Sequence, residues 1–234
     1  VGGFGDLVVL INPALEAMEF SALSDMSTER GTYFPSQLPV MLEMTSEADY
    51  ATRYAFPAGR WLSTLFEETR EQTRLNKVTD KQESISESDA NITAIGHFKP
   101  YRTHRLYPVE SQIAAQSNEL NTRDATAYSV RLFRKTCRDW RHDKPGSQTE
   151  FGALMLERTI TSAGRNPYLF AYVDKRLISG HNDIDDPRII EFIKQVILIS
   201  TQPAASGCAS RPNSKYVPPN REDSAVGRTG RRAG

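Results

Sequence analysis

Residues 6–49 are DLVVLINPALEAMEFSALSDMSTERGTYFPSQLPVMLEMTSEAD, two apolar runs on either side of a stretch with helical period. The run 6–11 is almost uninterrupted, as in a strand buried on both faces, and it stops at Asn12-Pro13. Leu15, Met18, Ala22 and Met26 then recur at helical spacing, and Gly31 is a candidate C-terminal cap. A second strand is predicted over 40–45, entered from Pro39. Strand, helix and strand within about forty residues is the rhythm of a parallel βαβ unit.

Outward from this unit the chain becomes less regular. Trp61, Leu62, Leu65 and Phe66 form one apolar stripe with charges opposite, which predicts a helix with Pro57 near its start. The stretch 76–90, NKVTDKQESISESDA, is polar and predicts a surface loop. Within 91–150 a short strand is expected at ITAIGHF and a helix at ATAYSVRLFRKTCRDW. GALMLERTI and PYLFAYVDKRLI predict two strands joined by a short connection. The last ordered element is a helix from Asp186-Pro187, with Ile189, Ile190, Phe192, Ile193, Val196 and Ile197 facing inward. From Thr201 onward Gly, Pro, Ser and Arg dominate, and disorder is expected.

The chain has 234 residues, 38% of them hydrophobic, with Lys+Arg and Asp+Glu equal at 29 each. That balance lacks the basic footprint of a nucleic-acid binder. Cys137 and Cys208 are far apart, which suits a reducing, cytoplasmic compartment better than a disulfide framework. No apolar run reaches the ~20 residues that span a bilayer.

Two positions carry the chemistry. Asp49 follows the strand PVMLEM, and His181 follows the strand YLFAYVD and precedes the last helix. In a parallel sheet both emerge at the C-terminal rim, where open α/β sheets hold their ligands. A carboxylate there can bind one imidazole nitrogen and stabilise the imidazolium formed when the other takes a proton. His97, in AIGHF, is the alternative base and Glu47 the alternative acid. His104 lies between Arg102 and Arg105, whose charges disfavour its protonation.

PVMLEMTSEADYAT resembles the acid-bearing strand and loop of the α/β-hydrolase superfamily, GHNDIDDPRIIEFI its terminal histidine turn and helix, and FGDLVVLINPA the strand after its nucleophile-bearing helix. With AFPAGRWLSTLF and GHFKPYRTHRL, residues 4–200 resemble the C-terminal portion of bacterial esterase-like members. The resemblance implies an incomplete, mostly parallel α/β sheet with flanking helices and a large insertion. Its parts would be a core over 1–49, a helix and lid-like region over 50–150, terminal core elements over 151–200 and a tail over 201–234. It implies a serine hydrolase acting on an ester or related acyl compound, with His181 as base and Asp49 as acid. The family order is nucleophile, acid, histidine, and no G-x-S-x-G pentapeptide occurs in this chain. The serine is therefore expected upstream of Val1, and the chain is expected to be a fragment inactive by itself. The other reading is a non-enzymatic, hydrolase-like binding module. No cofactor is implied.

Two further groupings suggest ordinary uses. Asp183, Asp185 and Asp186 near His181 lack the glycine and distal glutamate of a calcium loop, so Asp185 and Asp186 are expected to cap the following helix. Arginines alternate with Phe98, Tyr101 and Tyr107, as on a lid surface contacting the body.

Overall fold

A computed structural model describes residues 7–28, 37–109, 127, 130, 131, 134, 144–162 and 166–200. The βαβ unit forms as its pattern predicts: β1 (Val8–Ile11), a 3-10 turn (Ala17–Phe20) running into α1 (Ser21–Ser27), and β2 (Met41–Ser46). After a π-helical turn (Ala51–Ala55) come α2 (Phe56–Thr64), β3 (Glu71–Asn76), β4 (Lys81–Ser86) and α3 (Glu87–Ile92). The remaining elements are β5 (His104–Pro108), β6 (Gln148–Phe151), β7 (Leu154–Arg158), β8 (Tyr168–Val173) and α4 (Pro187–Ser200).

Six strands form one mixed sheet in the order β1-β2-β8-β5-β7-β6. The first four run parallel, and β7 and β6 add an antiparallel edge. The architecture is thus α/β with a mostly parallel sheet and flanking helices. β2 and β8 are central because both of their faces are covered, as continuous burial along MLEMTS and YLFAYV requires. Strand alternation sends Leu42 and Met44 to one face, where they pack with Leu106, Leu169 and Val173 against Ile189, Phe192, Val196 and Ile199 of α4. Phe192 meets Phe151 edge-to-face at 5.0 Å. On the other face Phe170 packs with Phe20, Ile85, Ile95, Phe98 and Tyr101.

Several local expectations are corrected by packing. The helix after β1 buries Ala17, Phe20 and Ser24, while Leu15 and Met26 of the predicted stripe stay exposed. The polar stretch 76–90 is not a loop: β3 and β4 pair antiparallel, and α3 follows with Ser86 as its N-cap. A cross-strand pair holds this hairpin, Arg74 bridging Glu83 at 3.3 Å, while Arg74 also bridges Asp25 of α1 at 3.1 Å and Ile85 anchors the hairpin in the core. ITAIGHF is not a strand but a 3-10 turn, Ile95–His97. β7 and β8 exist but are not neighbours, because β5 lies between them. Residues 104–108, in the stretch expected to be lid-like, run inside the sheet, and 148–151, at its end, form the edge strand. In α4, Ile190 and Ile197 face solvent, and Gln195 and Ile199 take the inner positions.

The helix α2 ends at Thr64, short of Leu65 and Phe66, and the predicted stripe is turned outward: Trp61 is 55%, Leu62 65% and Phe66 97% exposed. What docks this helix is its polar side, where Arg60 bridges Glu16 at 2.9 Å and donates to the Asn91 carbonyl at 3.3 Å. Apolar period predicts a shared face, not that the body covers it, and here the helix stops before the second half of the stripe. Most of the helix expected near 125–140, including Cys137, lies outside the described residues, as do Gly31, His142 and the tail with Cys208; positions 127, 130, 131 and 134 are helical. Among the described residues no helix is long and apolar enough to cross a membrane.

Gly96 lies directly on β2, and a methyl group placed there would overlap the Thr45 hydroxyl and the Glu43 carboxyl. Gly96→Ala should therefore lower the free energy of unfolding by ~2 kcal/mol or more. Gly59→Ala, inside α2 with no atom near the new methyl, should raise it by ~0.5–1 kcal/mol. Urea denaturation of the two variants against the parent checks both signs.

Candidate active site

The C-terminal ends of β1, β2 and β8 share one rim, and three loops leave it side by side. After β2, the Glu47 amide donates to the Val173 carbonyl at 2.9 Å, tying the turn to β8. Asp49 follows, fully buried, at the start of the helical segment. Its Oδ1 accepts from the Ala51 amide at 3.0 Å and the Thr52 amide at 3.2 Å, and Thr52 Oγ1 donates to Oδ2. An acidic residue in this position satisfies amides that the helix leaves without partners.

The loop after β8 is anchored by the buried side chains of Leu177 and Ile178 and brings His181 back over the same rim. His181 Nδ1 lies 3.0 Å from each oxygen of Asp49. The carboxylate can only accept, so Nδ1 is the protonated nitrogen and the lone pair of Nε2 is free to take a proton. The His181 side chain is 39% exposed, against none for Asp49. Burial by itself would raise the Asp49 pKa, but hydrogen bonds from Thr52 and His181 outweigh it, and the net shift is downward. A buried, ionised carboxylate thus fixes the tautomer of a solvent-facing imidazole.

The alternatives occupy other positions. His97 does not touch the carboxylate: its Nε2 lies 3.1 Å from Thr52 Oγ1, whose proton is committed to Asp49, so His97 donates to Thr52. Burial, reinforced by the charge of Arg102, pushes the His97 pKa down to about 4, which leaves it neutral. Glu47 turns away from the imidazole and accepts from the Lys175 amide at 3.1 Å. His104 is buried at the start of β5, and its pKa is driven well down by burial and by Arg158, its cross-strand partner, rather than by Arg102 and Arg105.

The arginine and aromatic pattern has an internal use rather than a lid surface. Arg102 lies over the Tyr172 ring at 3.7 Å and donates to the carbonyls of Gly96 at 2.9 Å and His97 at 3.0 Å, pinning the turn that carries His97. Asp186 caps α4, accepting from the Arg188 amide at 2.8 Å, and Asp183 accepts from Ser179. Among the described residues no group of three His, Cys, Asp or Glu is arranged to hold a metal. A cavity of about 440 Å³ opens near the opposite rim, by Tyr168 and Thr103, and neither Asp49 nor His181 lines it.

Sequence reasoning did not find Thr52, Ser46 or Asn12. Thr52 at three residues after Asp49 is a recognisable helix-start spacing. Asn12 was visible only as the end of an apolar run.

Beneath the turn that carries His97 lies Glu43, an acidic residue in the middle of β2 and 1% exposed. Burial pushes its pKa up to about 8, against the opposing effects of the Thr45 hydrogen bond and the Arg102 charge, so it is a neutral acid at pH 7. In the unfolded chain Glu43 loses its proton near 4.5 and in the folded chain near 8, so between these values the unfolded state binds fewer protons and stability falls as pH rises. His97 acts with the opposite sign: between 6.5 and about 4 the unfolded state takes the proton first, so stability falls as pH drops. Glu43→Gln should accordingly stabilise the fold at pH 8 more than at pH 5, as read from urea midpoints, and should flatten the decline above pH 6.5.

Comparison of the chain with protein-family models, with curated proteins and with solved structures found no match, and the chemistry of this rim rests on its own geometry.

Proposed function

We propose that this chain supplies the acid and base of a serine-hydrolase mechanism of the α/β-hydrolase type, acting on an ester or related acyl substrate. The observation that supports the reading is the pair at 3.0 Å between His181 Nδ1 and the buried carboxylate of Asp49, formed across 132 residues of sequence on one rim of the sheet. In this mechanism Nε2 removes the proton from an attacking hydroxyl, and Asp49 stabilises the resulting imidazolium. Nε2 then delivers that proton to the leaving alcohol as the tetrahedral intermediate collapses. Thr52, His97 and the Ala51 and Thr52 amides hold Asp49 ionised and immobile, while Arg102 secures His97.

The nucleophile in this reading lies outside the 234 residues. No G-x-S-x-G turn occurs among them, and among the described residues no hydroxyl is hydrogen-bonded to His181 Nε2. A second reading, a hydrolase-like module that binds without turnover, is favoured by that same open nitrogen and by the exposed apolar face of α2.

The 234-residue chain should hydrolyse short p-nitrophenyl esters only at background rate. Substantial turnover abolished by His181→Ala would overturn the assignment of the nucleophile to another segment. In a protein that carries the serine as well, Asp49→Asn should lower kcat by about 10⁴-fold through loss of the correct tautomer. An Asp49→Asn variant with unchanged kcat would remove the acid from the mechanism, and a gene product with no hydrolytic activity would favour the binding module.

A further inference from the structure

Asn12 stands where β1 leaves the sheet, with φ of 47°, in the left-handed region that asparagine tolerates better than most residues. Its side chain is almost completely enclosed, the residue being 3% exposed. Both ends of the amide are committed. Oδ1 accepts from the Ser46 amide at 2.9 Å, and Nδ2 donates to the carbonyls of His181 at 3.0 Å and Gly180 at 3.3 Å. One N–H on one side and two carbonyls on the other leave no ambiguity about which end is oxygen. The Asn12 amide itself donates to the Met44 carbonyl at 2.8 Å, locking the residue to β2. Ser46 adds a parallel tie, its hydroxyl donating to the Ile178 carbonyl and accepting from the Ala48 amide.

The segment these bonds hold has little else to fix it. Residues 178–186 form no helix or strand. Upstream the anchor is the burial of Leu177 and Ile178, and downstream it is the Asp186 cap of α4. Between them lies Gly180, open on the side where a side chain would stand. A single hydrogen bond from an exposed imidazole contributes modestly to the order of a loop, and the entropy of ordering that loop opposes it. A clamp on the two carbonyls that flank the histidine Cα, those of Gly180 and His181, removes that freedom before the ring bonds Asp49.

We infer that Asn12 is a positioning residue for the acid–base pair. Its oxygen grips the end of β2, which leads into Asp49, and its nitrogen grips the backbone of Gly180 and His181. One side chain at the end of a third strand thus ties both backbones that carry the pair, and it constrains the distance and ring orientation at which Nδ1 meets the carboxylate. This inference rests on Asp49 and His181 being the working pair, and Asn12 reaches the reaction only through them.

The test is the ring tautomer of His181, read from long-range ¹H–¹⁵N spectra of the 234-residue chain. The parent should show His181 with its proton on Nδ1 and that proton shifted downfield by Asp49. Asn12→Gly keeps the backbone conformation and removes both arms of the clamp. Asn12→Asp keeps the acceptor for the Ser46 amide and replaces only the donor to residues 180 and 181. Both variants should lose the downfield proton and give a mixture of tautomers, while the ring signals of buried His104, near the far rim, stay at their parent positions and report an intact sheet. A folded Asn12→Gly or Asn12→Asp variant that keeps the parent His181 signal would overturn the inference while leaving the pair itself standing. A parent without an Nδ1 proton on His181 would remove the pair, and the inference with it. If one variant fails to fold, the other decides.

Discussion

A fully buried carboxylate must be satisfied from every side, and the rim of this protein is arranged around that requirement at Asp49. Two amides and a hydroxyl reach it from its own helical segment, and an imidazole reaches it from a loop more than a hundred residues away. Removing any of these donors would leave a buried charge one partner short and out of contact with water, which is more unfavourable than the loss of a surface hydrogen bond. The local donors make Asp49 rigid. The distant donor makes the turn after β2 and the loop after β8 one unit, and its ring stays partly exposed to solvent.

The same strand carries a second buried acid with the opposite solution. Glu43 lies on the face of β2 that the Gly96 turn covers, and it stays neutral because Thr45 and the more distant Arg102 do not compensate for its burial. Alternation along β2 thus separates two functions: Leu42 and Met44 build the core under α4, whereas Glu43 and Thr45 form a polar floor beneath His97. Gly96 is required for this close approach, and Arg102 clamps the turn from above while resting on Tyr172.

Where the sequence and the fold part company, the cause is in each case a partner that local pattern does not encode. The hairpin over 71–86 has a strand's alternation only in burial, because its inward positions pair Gln72 with Ile85 and Arg74 with Glu83, so a scan for apolar period finds none. Trp61, Leu62, Leu65 and Phe66 carry a strong apolar period and are nonetheless exposed, since Arg60 docks the helix by its other side. His97 and His181 both follow short apolar runs, and nothing in those runs tells which ring reaches the carboxylate.

The sequence by itself determined the βαβ start, the amphipathic α4 with its Asp186-Pro187 entry, and a short set of candidates at one rim, Asp49 or Glu47 for the acid and His181 or His97 for the base. These follow from period, capping and strand direction, all of which act within a few residues. Tertiary structure alone decided that β5 lies between β7 and β8, that Thr52 stands between His97 and Asp49, and that Asn12 holds the backbone of residue 181. Those relations join positions up to 169 residues apart. They are fixed by which buried donors and acceptors find each other once the sheet has formed, and no local period records that choice.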